Sequence, residues 1–211
     1  CKLTTMSNVI YTIGHSNHEM EALIHLLNLH SIEALVDVRS SPYSRMYPHF
    51  NREALRAFLR QADMQYVFMG DCLGGRPDDP ACFKDGQAQY DRVAQLPTFT
   101  KGLERLQQGA EEYLIALMCS EKDPITCHRM LLVSRQLSLR QVDIQHILAD
   151  GEIESQNKAE LRMMAATGVP QNDLFESFSE LLNKAYRLQS QKCAFAFREE
   201  DATLATSGHT P

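Results

Sequence analysis

The chain has 211 residues, enough for one α/β unit of ordinary size with an appendage, and its 44% hydrophobic and 23% charged composition is that of a folded globule. A formal net charge of −6 argues against nonspecific coating of nucleic acid, which depends on counterion release by a strongly basic surface. No stretch approaches the roughly 20 apolar residues of a membrane helix, no signal peptide is evident over Cys1 to Asn8, and six scattered cysteines predict a cytoplasmic protein with reduced thiols.

Val9 to Gly14 is a β-rich run ending in Gly-His-Ser-Asn. Ser16 and Glu19 have the spacing of a capping box ahead of an apolar helix over Met20 to Leu29. Ala34 to Val38 is a buried strand that leaves Asp37 and Arg39 at its carboxyl end, with Pro42 blocking continuation. Asn51 is placed to cap a helix carrying Leu55, Phe58, Leu59 and Ala62 on one face, and Gln65 to Met69 reads as a third strand. Arg52, Arg56 and Arg60, spaced by four, form one solvated stripe of that helix.

An irregular segment follows from Asp71, through Leu73-Gly74-Gly75-Arg76-Pro77, to about Phe83. Helices are predicted over 85–93 and 98–108, separated by Pro97. Leu114 to Met118 is a continuous apolar run, a fourth strand ending at Cys119. The acidic, proline-containing Ser120 to Thr126 then leaves the sheet, and Thr126 is placed to cap a helix whose first turn holds Cys127, His128 and Arg129. Val142 to Leu148 is a fifth strand, in which His146 reads as a core histidine. Residues 155–198 read as amphipathic helix, with Leu174, Phe175, Phe178, Leu181, Leu182 and Ala185 at helical spacing, packing on the main domain or on a second subunit. Residues 199–211 read as a disordered tail.

Strands alternating with helices over 9–150 predict an α/β domain: an open, mainly parallel, five-stranded Rossmann-like sheet with helices on both faces, extended by helices over 151–198. Ligands of such sheets bind at the carboxyl ends of the strands. There the sequence puts His15 and Ser16 after the first strand, Asp37, Arg39 and Arg45 after the second, Gly74 and Gly75 after the third, and Cys119, Glu121, Cys127, His128 and Arg129 after the fourth.

These segments carry a resemblance. Thr12-Ile13-Gly14-His15-Ser16, Asp37-Val38-Arg39-Ser40 with Pro42 and Ser44-Arg45, Leu73-Gly74-Gly75, Cys119-x-Glu121 with Cys127-His128-Arg129, and His146-Ile147 together resemble the bacterial domain of unknown function 488 family, over about residues 10–150. The resemblance implies the α/β fold and a shared polar site, and no settled reaction. Asp63-Met64 departs from it, since a glycine is expected before the third strand.

Three chemistries suit these residues. In the first, an enzyme acts on a phosphate-containing or nucleic-acid-related substrate: Cys127 at a helix start beside Arg129 has a depressed thiol pKa, His15 or His128 moves a proton, and Arg39, Arg45 or Arg129 grips an oxyanion. The loop does not match the Cys-x5-Arg cradle of cysteine phosphatases. The Asp37-Val38-Arg39 segment is also similar to rhodanese-like domains, whose glycine-bearing loop after the cysteine is absent here. In the second, Cys119, Cys127 and His128, with His15 as a further candidate, bind zinc or iron. In the third, the arginines and the Gly74-Gly75 loop hold an anion without turnover. Asp37 is either a catalytic carboxylate or a residue that anchors Arg39 or caps a turn, and Cys72, Cys82 and Cys193 read as inert. The sequence names no cofactor; the partners it suggests are an anionic small molecule or nucleic acid, no membrane, and a second copy docked through the C-terminal helices.

Overall fold

A computed structural model describes residues 9–197. The expected tail over 199–211 lies outside the described residues. Strands β1 (Val9–Gly14), β2 (Ala34–Asp37), β3 (Gln65–Phe68), β6 (Ile115–Cys119), β7 (Asp143–Ile147) and β8 (Ile153–Ser155) form one sheet in the order β3-β2-β6-β1-β7-β8. All neighbours are parallel except β7 and β8. The sheet therefore has six strands where five were expected. The extra one is a three-residue edge strand, too short to show a period in the sequence and reached by the tight turn at Asp150-Gly151.

The two faces of the sheet follow from strand alternation. Ile13, Leu35, Ala116, Met118 and Ile147 point to one face, where α1 (Met20–Leu29) and α2 (Arg52–Gln61) cover them with Leu23, Leu27, Leu55 and Leu59. Ile10, Val36, Leu117, Cys119 and Ile144 point to the other. That face is covered by α5 (Pro97–Glu112), a π-helical stretch over Arg129–Ser134 running into α6 (Arg135–Ser138), α7 (Gln156–Thr167) and α8 (Phe178–Cys193). Two short helices, α3 (Gly70–Leu73) and α4 (Tyr90–Val93), lie in the long β3-to-β6 connection. No described helix is long and apolar enough to cross a membrane.

Several local expectations need correction. The expected helix over 85–93 is mostly a hairpin, β4 (Phe83–Lys84) and β5 (Gln87–Ala88), turning at Asp85 (φ 50°) and Gly86 (φ 75°). Asp-Gly with both residues left-handed is a strong hairpin signal, and only Tyr90–Val93 is helical. The segment after α8 adds to this hairpin through Ala88 N to Phe195 O (2.8 Å) and Phe197 N to Gly86 O (2.9 Å).

The amphipathic stretch over 155–198 is two helices separated by residues 168–177, so Leu174 and Phe175 lie in an exposed loop and not on a buried helix face. Gly168, left-handed at φ 72°, terminates α7, and Ser177 with Glu180 makes a full capping box for α8. The Ser16–Glu19 box does not form: Ser16 is left-handed at φ 46°, and Glu19 precedes α1 without a side-chain cap. Asn51 does precede α2, but its Oδ1 accepts the Ser44 N–H across the loop (2.7 Å). Asp63, where a glycine was expected, is left-handed at φ 56°, which gives the physical reason a glycine suits that place.

Candidate metal centre and cleft

The order β2-β6-β1 sets the carboxyl ends of three central strands side by side, and the loops leaving them build the site. The β1–β6 ladder continues beyond the strands through His15 N to Cys119 O and Ser16 N to Ser120 O, both 2.9 Å. This fixes where the loop after β6 begins. Asp123 then accepts the Ile125 N–H and caps a single 3-10 turn, Pro124–Thr126, with Pro124 in its first position.

Thr126 therefore does not cap the following helix, and Cys127 is not in its first turn. Cys127 is extended (φ −125°, ψ 141°) and acts as the capping residue itself: its carbonyl accepts from Met130 N and Leu131 N, and its Sγ accepts the Arg129 N–H at 3.4 Å. The π-helical stretch that follows is a geometry found often at functional sites.

Four of the expected residues converge. One ligand atom each from Cys119, Glu121, Cys127 and His128 lies within 4.8 Å of the others. Glu121 Oε2 lies 3.0 Å from Cys119 Sγ and 2.9 Å from Cys127 Sγ, within hydrogen-bond reach of both. His128 Nδ1 lies 3.4 Å from Cys119 Sγ and 4.0 Å from Cys127 Sγ. These last distances bracket the edge of about 3.5 Å expected between sulfur and nitrogen in a tetrahedral zinc site. His128 Nε2 lies 2.9 Å from the Val38 carbonyl. A carbonyl only accepts, so Nε2 carries a proton and Nδ1 is the atom turned to the sulfurs, the orientation of a metal-binding histidine with its outer partner in place. Burial opposes the charged ring, but the hydrogen bond with Cys127 and the charge of that thiol raise its pKa above the ordinary imidazole value.

Electrostatics divides the two thiols. Burial and the neighbouring Cys127 push the Cys119 thiol well up. Burial also opposes ionisation of Cys127, but a hydrogen bond from Cys119, the Arg129 charge and His128 carry its pKa well below the ordinary thiol value. Arg129 is fully buried, and its guanidinium is spent on the carbonyls of Glu121 (2.5 Å) and Lys122 (3.0 Å) and on Thr12 Oγ1 (3.4 Å). It clamps the loop from beneath and faces no open space. Glu121 is exposed as a residue, but its carboxyl is desolvated where it meets the two thiols, and this with the adjacent Cys127 raises it above the usual carboxylate range.

A second group forms beside the first. Arg39, itself buried, binds Asp37 through Nε (2.9 Å) and Nη2 (2.6 Å), and Asp37 Oδ2 also accepts from Tyr66. The structure thus places Asp37 as the anchor of Arg39. Arg39 Nη2 also reaches Phe50 O (2.8 Å), and Nη1 donates to His15 Nε2 at 3.3 Å. His15 Nδ1 donates to Ser16 O, so the ring is neutral; burial and then the Arg39 charge lower its pKa to about 4. His15 is therefore a support for Arg39 and stands outside the four-atom cluster. Guanidinium has five N–H groups, and four are used here, which leaves one on Nη1.

Arg39 lines both parts of a cleft. An inner hollow of about 180 Å³ is bounded by Cys119, Glu121, His128, Arg39, Gly75 and Arg76, among others. An outer hollow of about 620 Å³ shares Arg39, Ser41, Arg76, Ser120 and Glu121 with it and extends past His15 and Ser16. Gly75 is needed as glycine, because a Cβ there would stand 2.9 Å from the His128 ring. Gly74 packs behind it, against Ser40. Arg45 is exposed and lines neither hollow. Sequence reasoning did not single out Ser40, Ser41, Tyr90, Lys122 or Phe195 as lining residues. Ser40 and Ser41 follow Arg39 at a strand end and had a positional signal; Phe195 had none, because only the docking of the last described segment on the hairpin brings it there.

The family model described as "Domain of unknown function DUF488" matches residues 19–136, more than half of the 211. The chain belongs to that family. The match contains all four residues of the cluster together with Arg39 and Arg76, while His15, Ser16 and His146 lie outside it. No curated protein and no solved structure matches the chain.

Proposed function

We propose that this protein is a metal-dependent enzyme for a phosphate-bearing substrate, with Cys119, Cys127 and His128 holding zinc or iron and Glu121 carrying a proton. One observation supports this most: thiol, thiol, carboxylate and imidazole atoms gather within 4.8 Å while the Val38 carbonyl fixes the histidine with Nδ1 turned inward. Sulfur with imidazole suits zinc or iron, and three protein ligands leave one position for water, the arrangement of catalytic sites. A metal held there would supply Lewis acidity toward a water or phosphate oxygen.

The chain's own groups do the rest. Glu121 takes the proton of the attacking water. As the new oxygen–phosphorus bond forms and the ester bond breaks, the same carboxylic acid returns that proton to the leaving oxygen, so the net change is hydrolysis. The free Nη1 hydrogen of Arg39 and the Arg76 guanidinium face the phosphate oxygens. Arg76 is held over the Phe195 ring (4.4 Å) and has no acidic partner among the described residues. A covalent mechanism through Cys127 is less well supported, since that side chain is 1% exposed.

The test is metal content. Protein purified without chelator should carry about one zinc or iron per chain, and the cobalt-substituted form should show a sulfur-to-metal charge-transfer band that Cys127→Ser weakens and that Cys119→Ser together with Cys127→Ser removes. Glu121→Gln should keep the metal and lose hydrolysis of phosphate esters. Metal-free protein that also takes up no cobalt rejects the reading.

A further inference from the structure

The outer hollow has features that the centre does not use. Its far wall is the loop over residues 40–47, which presents Tyr43 (57% exposed), Met46 (76% exposed) and the half-buried Tyr47. The Tyr43 hydroxyl is held by Glu53 (3.1 Å) and Tyr47 packs against the core, so two aromatic rings line the rim, and such rings offer faces on which a flat ring can stack. Polar groups stand between them and the arginines. Asn17 Oδ1 accepts from Ser16 Oγ, while its amide N–H groups have no partner among the described residues; Ser41 and Ser44 add hydroxyls. Lys122 contributes a cation on the same rim. From inside outward, the cleft runs from the four-atom cluster, through Arg39 and Arg76, to an aromatic wall with hydrogen-bonding edges.

We infer that the substrate is a nucleoside phosphate, with its phosphate in the inner hollow against Arg39 and Arg76 and its base in the outer hollow against Tyr43 and Tyr47. The inference rests on the reading of the inner hollow as the reacting end. The inner hollow, at about 180 Å³, has room for a phosphate group but not for a ring system as well, and the outer one, at about 620 Å³, lies within the usual span of ligand sites of roughly 300–1,000 Å³. Aromatic side chains accept any base face, and Asn17 with the serines offers donors and acceptors to a base edge. A polynucleotide is disfavoured: the net charge is −6, and the cations lining the two hollows are Arg39, Arg76 and Lys122, too few for the basic track that a strand needs.

The full chain carrying Glu121→Gln is titrated by calorimetry with inorganic phosphate, ribose 5-phosphate, adenosine and uridine 5′-monophosphates, and an oligothymidylate. With seven tyrosines and no tryptophan, intrinsic tyrosine fluorescence gives a second readout. A nucleoside monophosphate should bind roughly tenfold to a hundredfold tighter than ribose 5-phosphate, the size of one base–aromatic stack. Tyr43→Ala with Tyr47→Ala should remove that preference while phosphate binding and metal content hold. Tyr43→Leu with Tyr47→Leu serves if the alanine pair unfolds. Equal affinity for ribose 5-phosphate and both nucleotides overturns the inference, as does an oligothymidylate that binds tightest with steep salt dependence. Metal content of the same samples separates the two readings: absent metal removes the proposed centre, while absent base preference removes only the nucleotide.

Discussion

Arg129 shows how one buried side chain governs the site. Its guanidinium ends a chain of hydrogen bonds that crosses the sheet: Arg129 Nε donates to Thr12 Oγ1, Thr12 donates to His146 Nδ1 (2.7 Å), and His146 Nε2 donates to Gln156 Oε1 (2.9 Å). Gln156 Nε2 in turn donates to Tyr186 and Glu160. Every proton has one direction, which requires His146 to be neutral. Removing the guanidinium strands two loop carbonyls and leaves a void, so Arg129→Ala should cost about 3 kcal/mol in urea unfolding and weaken metal retention, whereas conservative changes at exposed Arg45 should do neither.

The histidines set an acid limit at the same scale. Burial and then the Arg129 charge lower His146 to about 3, and His15 stands at about 4. Both folded values lie below the ordinary 6.5, so in acid the unfolded chain binds protons that the folded chain refuses. Stability is full above about pH 6.5 and falls as pH drops toward 4, by up to about 1.4 kcal/mol per pH unit for each histidine. Urea midpoints should fall between pH 6.5 and 5, and His146→Gln should make that slope shallower even if it lowers stability at pH 7.

At the scale of elements, the turns decide how the loops run. The Asp85-Gly86 turn lets β4 and β5 pair, and the pair in turn receives the segment that carries Phe195 beneath Arg76. Gly86→Val forces a branched residue to φ 75° and should cost roughly 1–2 kcal/mol while loosening Arg76, read as weaker phosphate binding with unchanged metal content. Asp63→Gly, at a left-handed helix end remote from the cleft, should leave stability unchanged or raise it by up to about 1 kcal/mol. Asp123 joins two elements: it caps the turn before Cys127 and pairs with Arg162 of α7, which also holds Glu154.

For the molecule as a whole, the centre and the larger core are one construction. Cys119 and Cys127 are members of the hydrophobic cluster that α5, α7 and α8 cover, so the positions of the two thiols are set by the packing of that half. Chelation should therefore lower the thermal midpoint by several degrees, and Tyr186→Phe, which deletes the bonds to Gln156 and Glu160, should cost about 1–2 kcal/mol.

The sequence by itself determined the alternation of strands and helices, the parallel sheet, and the rim at which polar residues gather, because apolar periodicity and chain breaks are local properties. It also placed Cys119, Glu121, Cys127 and His128 in one loop. Only the tertiary structure decided which way each side chain faces: Arg129 turns inward to hold carbonyls, His15 turns to Arg39, and Arg76 comes to the cleft. Those choices depend on partners as distant as the 117 residues that separate Arg129 from Thr12, and no local pattern encodes a contact at such separation.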